Sequence, residues 1–188
     1  MTATQSASGP DIEYWLDGGL AIRKNLQRRQ CAGNLTALAT GVMTSVALYL
    51  EAGDLVTNLT FVSATTAAGT PTAYWFALYS SAATPALLAQ TADQATAAWA
   101  ANTVKTLALA TPQRISATGI YYAACMVTAT TAPTLAGATA LHNAVEAGAI
   151  ITGQKVLAMT SGSALTTTAP ATIASPTTVA TVPLVIAS

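Results

Sequence analysis

Few residues of this chain belong to types that do chemistry. The only histidine is His142, in an Ala/Leu-rich stretch, and no G-x-S-x-G turn marks a serine nucleophile for it to activate. Past residue 30 the carboxylates are Glu51, Asp54, Asp93 and Glu146. Their scatter points to no acid–base pair flanking a glycosidic bond. Glu51 and Asp54 bracket Ala52-Gly53. That reads as a solvated turn rather than a calcium loop, which needs a denser run of oxygen ligands. Cys31 and Cys125 with one histidine cannot build a Cys/His zinc site. Neither G-x-G-x-x-G nor G-x-x-x-x-G-K-[ST] occurs. The expectation is a protein that is not an enzyme and takes no cofactor.

Two sets of residues remain as contact candidates. Arg23, Lys24, Arg28 and Arg29 form a basic cluster, preceded by Asp11, Glu13 and Asp17. Four cations beside acids make a poor nucleic-acid footprint, and an arm docking on an acidic protein surface fits the cluster equally well. The second set is aromatic. In Tyr74–Tyr79 (YWFALY) alternate residues face opposite sides of a strand, so Trp75 and Tyr79 share one face and Tyr74 and Phe76 the other. One face fills a core; the other, with Trp99, is a candidate surface contact, either between subunits or with stacked sugar rings. Asn34-Leu35-Thr36 and Asn58-Leu59-Thr60 match the glycosylation sequon, but residues 1–15 lack the basic and apolar regions of a secretory signal, so chance matches are expected.

The elements that must position these residues are strands. Met43–Glu51 and Leu55–Val62 alternate apolar and polar residues and are joined by a short Gly-bearing link, which predicts a hairpin. Val46, Leu48 and Leu50 share one face. Strands are also expected at Tyr74–Tyr79, Ala86–Thr91, Thr103–Leu109 with Leu107 and Leu109 inward, Val156–Met159 and Val182–Ala187. Gly119–Thr128 is the longest strand candidate, and Cys125 within it reads as a buried thiol; the alternative is a bridge to Cys31. Thr111–Pro112 should break the strand before it. Ala92–Asn102 could hold a turn of helix carrying Trp99, and Leu20–Gln30 a short helix after Gly18-Gly19. Residues 138–149, with His142, fit no pattern clearly. The Ser/Thr/Ala/Pro tract Ser161–Thr178 is long for a loop and could hide a short strand. No helices alternate with strands, so the predicted class is all-β: an antiparallel, jelly-roll-like sandwich over 42–188 behind an extended, partly helical anchoring arm at 1–41.

Composition bears on where such a fold works. Only 7% of the 188 residues are charged, with formal net charge zero. Soluble domains average about 25%. Residues 156–188 contain no charged side chain, whereas seven of the fourteen formal charges fall within residues 11–30. A surface so poor in charge suits a subunit largely covered by neighbours, such as a homo-oligomer. The most apolar stretch, Leu38–Leu50, is too short for a spanning helix, so no membrane role is expected.

An ordered series of phrases carries a family resemblance. GVMTSVALYLEAGDLVTNLTFVSATTAAGTPTAYWFALYS, LLAQTADQATAAWAANTVKTLAL and ISATGIYYAACMVTATTAPTLAG are followed by the terminal PATIASPTTVATVPLVIAS. Together, over roughly residues 40–188, they resemble the β-sandwich domain of minor tail and related virion proteins of phages infecting actinobacteria. The resemblance implies a virion protein made in the host cytoplasm and displayed on the particle, in a minor-tail or capsid-decoration role. Its partners would be other virion proteins and copies of itself, with trimers common, and a host cell-surface glycan is a further possible contact. The arm at 11–30 lies outside the pattern.

Overall fold

The computed structural model describes residues 22–31, 33–139 and 151–188, and among these it has one short 3-10 turn and twelve strands, β1 to β12. The longer ones are β2 (Met43–Leu50), β3 (Leu55–Val62), β4 (Gly69–Tyr79), β6 (Val104–Arg114) and β7 (Gly119–Thr131). The shorter ones are β1 (Arg23–Lys24), β5 (Leu87–Gln90), β8 (Gly137–Thr139), β9 (Ala158–Ser161), β10 (Thr177–Thr178), β11 (Thr181–Pro183) and β12 (Val185–Ala187). All pairings are antiparallel. A six-stranded sheet runs β10-β9-β2-β7-β4-β5, a four-stranded sheet β1-β12-β3-β6, and β11 pairs with β8. The protein is all-β, as its alternating segments predict, and the described residues contain no α-helix.

Strand partners differ from the expected ones where pairing depends on distant residues. β2 and β3 do not form a hairpin: β2 lies between β7 and β9, and β3 between β12 and β6. Alternation says which face of a strand is buried but not which strand lies beside it. β7 offers β2 an eight-residue register, from Met43 opposite Met126 to Leu50 opposite Gly119. The link Glu51–Asp54 therefore crosses between sheets. It is pinned to the second crossing link, which joins β6 to β7, by Gly53 N–H to Ile115 O and Ile115 N–H to Asp54 O, both 2.8 Å. Two further crossings, β3 to β4 and β5 to β6, brace each other likewise: Ser63 N–H donates to Thr103 O at 2.9 Å and Ala68 N–H to Trp99 O at 3.0 Å. Ala92–Asn102 is one of these bracing links and forms no helix.

Pro112 does not end its strand. Residues 109–112 stand opposite Thr57 alone, a bulge in which proline's missing donor goes unneeded. The bulge also lets Leu109 bridge to Thr91. The terminal strand expected over Val182–Ala187 is two pieces, β11 on β8 and β12 between β1 and β3. Leu184 separates them, its N–H bonded to Ala136 O at 2.9 Å.

The two large sheets share one core. Val46, Leu48, Leu50, Tyr74, Phe76, Leu78, Ala123, Cys125 and Val127 from the six-stranded sheet meet Val56, Leu59, Phe61, Leu109 and Val185 from the four-stranded one. Phe61 and Phe76 approach across it with ring centroids 4.7 Å apart. No disulfide joins Cys31 and Cys125. Of the stretch read as an arm, the described part joins the sheets. β1 pairs with β12, Arg28–Gln30 forms a 3-10 turn rather than the expected helix, and Leu35 is buried.

Candidate functional site

Arg23 is the most constrained of the basic residues. Strand β1 holds its backbone opposite Ala187, and its guanidinium reaches the β2–β3 corner. Nε donates to Asp54 Oδ2 at 2.8 Å and Nη2 to Asp54 Oδ1 at 2.9 Å, with a further ion pair to Glu51. Asp54 Oδ2 also accepts the Glu51 N–H at 2.8 Å. The Arg23 guanidinium is the main cause holding the Asp54 carboxyl below the usual carboxylate range. Arg23, Glu51 and Asp54 thus form an internal clasp that fastens the incoming chain to a sheet crossing. Lys24, next on the strand, is half-buried. Arg28 and Arg29 are exposed on the 3-10 turn, where Arg29 Nε donates to Gln27 Oε1 at 2.9 Å. Of the four candidate anchoring residues, the fold consumes Arg23 and presents Arg28 and Arg29 to solvent.

The aromatic candidates are not at the surface. Trp75 and Tyr79 are 0% exposed and Trp99 1%. Trp99 lies in the main core against Tyr74 and Phe76, at centroid distances of 5.7 and 5.6 Å. Trp75 and Tyr79 do occupy the opposite face from Tyr74 and Phe76. That face is covered by the chain's own Ser/Thr/Ala/Pro tract. Trp75 Nε1 donates to Thr166 O at 2.7 Å and Tyr79 Oη to Pro170 O at 2.8 Å, while Leu165, Ala169 and Ile173 supply apolar cover. Burial pushes the Tyr79 phenol well above its ordinary pKa. The tract's length hinted at structure within it, but its composition did not show that it would bury a second aromatic layer. Leu165, Pro170 and Ile173 were the available signal.

The described acids serve the fold. Glu51 and Asp54 belong to the clasp, and Asp93 Oδ1 accepts the Tyr74 N–H at 2.9 Å. No group of three His, Cys, Asp or Glu is placed to hold a metal among the described residues. His142 and Glu146, Asp11, Glu13 and Asp17, and the ambiguous segment 138–149 beyond Thr139 lie outside the described residues. No described helix is long and apolar enough to cross a membrane.

Among the described residues, two concavities stand out. A cleft of about 590 Å³ is lined by Thr84, Tyr122, Gln154, Lys155, Met159 and Ser175, among others. Lys155 Nζ there donates to Ser81 O and Ala82 O at 2.9 and 3.0 Å, and Tyr122 Oη to Val156 O at 3.0 Å. These bonds tie loops together, and no exposed aromatic ring lines the cleft among the described residues. A smaller groove of about 250 Å³ is lined by Asn25, Leu26, Ala47, Ala138, Thr139, Leu157 and Val182. Neither Lys155 nor this groove stood out in the sequence.

No protein-family model matches the chain. No curated protein matches it either.

Proposed function

We propose that this protein is a structural component of a bacteriophage virion, of the minor-tail or capsid-decoration type, with no reaction to catalyse. It would display a jelly-roll-like β-sandwich on the particle and attach through its N-terminal arm. Support for the finer fold comes from the order of pairing. β4 pairs with β5, β3 with β6 and β2 with β7, a nested set that rolls one long antiparallel ribbon into two facing sheets. The domain division at residue 41 belongs to the same reading, with the qualification that β1 already belongs to a sheet.

The observation that carries the functional reading is the outward face of the four-stranded sheet. Strand alternation places Val62, Val104, Thr106, Ala108 and Ile186 there, with Lys24 opposite Ile186 at the edge strand and Thr60 Oγ1 and Thr106 Oγ1 bonded at 2.8 Å. Val104 is 66% exposed. A broad face with so few charges suits packing against like subunits or other virion proteins, and a homo-oligomer, a trimer by the resemblance, would cover it. Attachment would use the exposed Arg28 and Arg29 against an acidic neighbour.

Immunogold labelling of purified particles tests this. Label on the particle exterior is expected; label confined to the unassembled fraction of the lysate would refute the reading. The glycan-binding alternative retains the 590 Å³ cleft, but its stacking residues Trp75 and Trp99 are buried. A glycan array showing specific binding would favour it.

A further inference from the structure

We propose that residues 11–17 of the free chain dock in cis into the groove lined by Leu26, Ala47, Leu157 and Val182. The groove is apolar and incompletely covered, with Leu157 45% exposed on its rim. Tyr49 follows Ala47 on the same strand face and is 48% exposed. Such exposure is unusual here, because the other aromatic side chains named above are buried.

Three observations select the occupant. The first is position: the described chain begins at Ile22, and Asn25 and Leu26 already line the groove. From Asp17 to Ile22 the chain can span at most roughly 18 Å, and Gly18-Gly19 lets it reverse there. The second is chemistry: Asp11-Ile12-Glu13-Tyr14-Trp15-Leu16-Asp17 combines large apolar side chains with three carboxylates. The third is charge. Residues 1–21 hold those three carboxylates and no lysine or arginine, whereas all seven basic residues lie in the described body with only three acids. Arg28 and Arg29 are exposed just beyond Leu26. The apolar side chains match the groove, and the carboxylates match the exposed cations two and three residues beyond Leu26. So short a tether raises the effective concentration of the segment to the millimolar range, so weak contacts suffice.

Trp15 reports the docking, since Trp75 and Trp99 are buried in the body. Acrylamide quenching of the full chain is compared with Trp15→Phe, which isolates the two buried indoles. Shielding of Trp15 at low protein concentration is expected. It should be lost in Leu157→Asp, a change at an exposed position, and in the triple change Asp11→Asn, Glu13→Gln, Asp17→Asn, which leaves the body untouched. High salt should weaken it. An accessible Trp15 in the unchanged chain would overturn the proposal. So would shielding indifferent to all these changes, as if residues 140–150 filled the groove instead. Shielding that appears only as concentration rises would assign the segment to a second copy and overturn docking in cis. The experiment needs no particle, so its failure leaves the virion reading standing, and loss of the virion reading leaves this one.

Discussion

Arg23 and Asp54 show how single residues decide where the incoming chain lies. Their bidentate pair is partly exposed, so its contribution is modest, about 1 kcal/mol for a well-formed pair with an added backbone bond. Asp54→Asn is expected to lower stability at neutral pH by about that amount, read by urea unfolding. Because the pair depresses the folded-state pKa of Asp54, its stabilisation is present above the unfolded value near 4 and is lost as pH falls through the folded value. The asparagine variant should therefore lose less stability than the parent chain between pH 5 and pH 2, roughly. Thiol chemistry gives a second residue-scale prediction. Cys125 is fully buried, and burial pushes its thiol far up, while Cys31 is half-exposed. A thiol reagent should label Cys31 in the native protein and reach Cys125 only on unfolding; equal native rates would contradict the placement.

Strands and links raise a different question, namely how far the chain's own pattern sets its pairing. Gly137 in β8 shows a constraint that pattern does not reveal. A β-carbon there would sit 2.2 Å from Val182 O and 2.7 Å from Pro183 Cα, both backbone. Gly137→Ala should separate β8 from β11 and cost about 2–3 kcal/mol, measurable as a fall in denaturation midpoint. The strands themselves were largely legible, because Val46, Leu48, Leu50 and the YWFALY run alternate strongly. Their partners were not, since the turn at Glu51–Asp54 is as short as a hairpin's yet crosses between sheets. Trp75 and Tyr79 were assigned the correct face and the wrong exposure for the same reason: what covers them is Thr166–Ile173, some ninety residues on. Trp75→Phe should leave the Thr166 carbonyl without its donor and loosen this tract, seen as faster amide exchange over 162–176.

At the scale of the whole molecule, one core joins the two large sheets, and the closing strand β12 ties the entering β1 to the middle of the fold. Phe61→Ala should cost about 3–5 kcal/mol, because Phe61 contacts Phe76 from the opposite sheet. Charge is distributed as unevenly as burial. Residues 11–30, β1 and the basic turn included, hold half of the formal charge, and residues 156–188 hold none. In the proposed reading, that division would separate a body that packs among neighbours from an arm that attaches it. It was visible in the sequence, whereas Arg23's use within the body was not, since its acidic partners lie about thirty residues away. The most direct test of the virion assignment is mass spectrometry of particles purified through a density gradient. The assignment predicts this polypeptide in the particle band at a fixed ratio to the coat protein. Its absence from that band, with the chain present in the soluble lysate, would contradict the account.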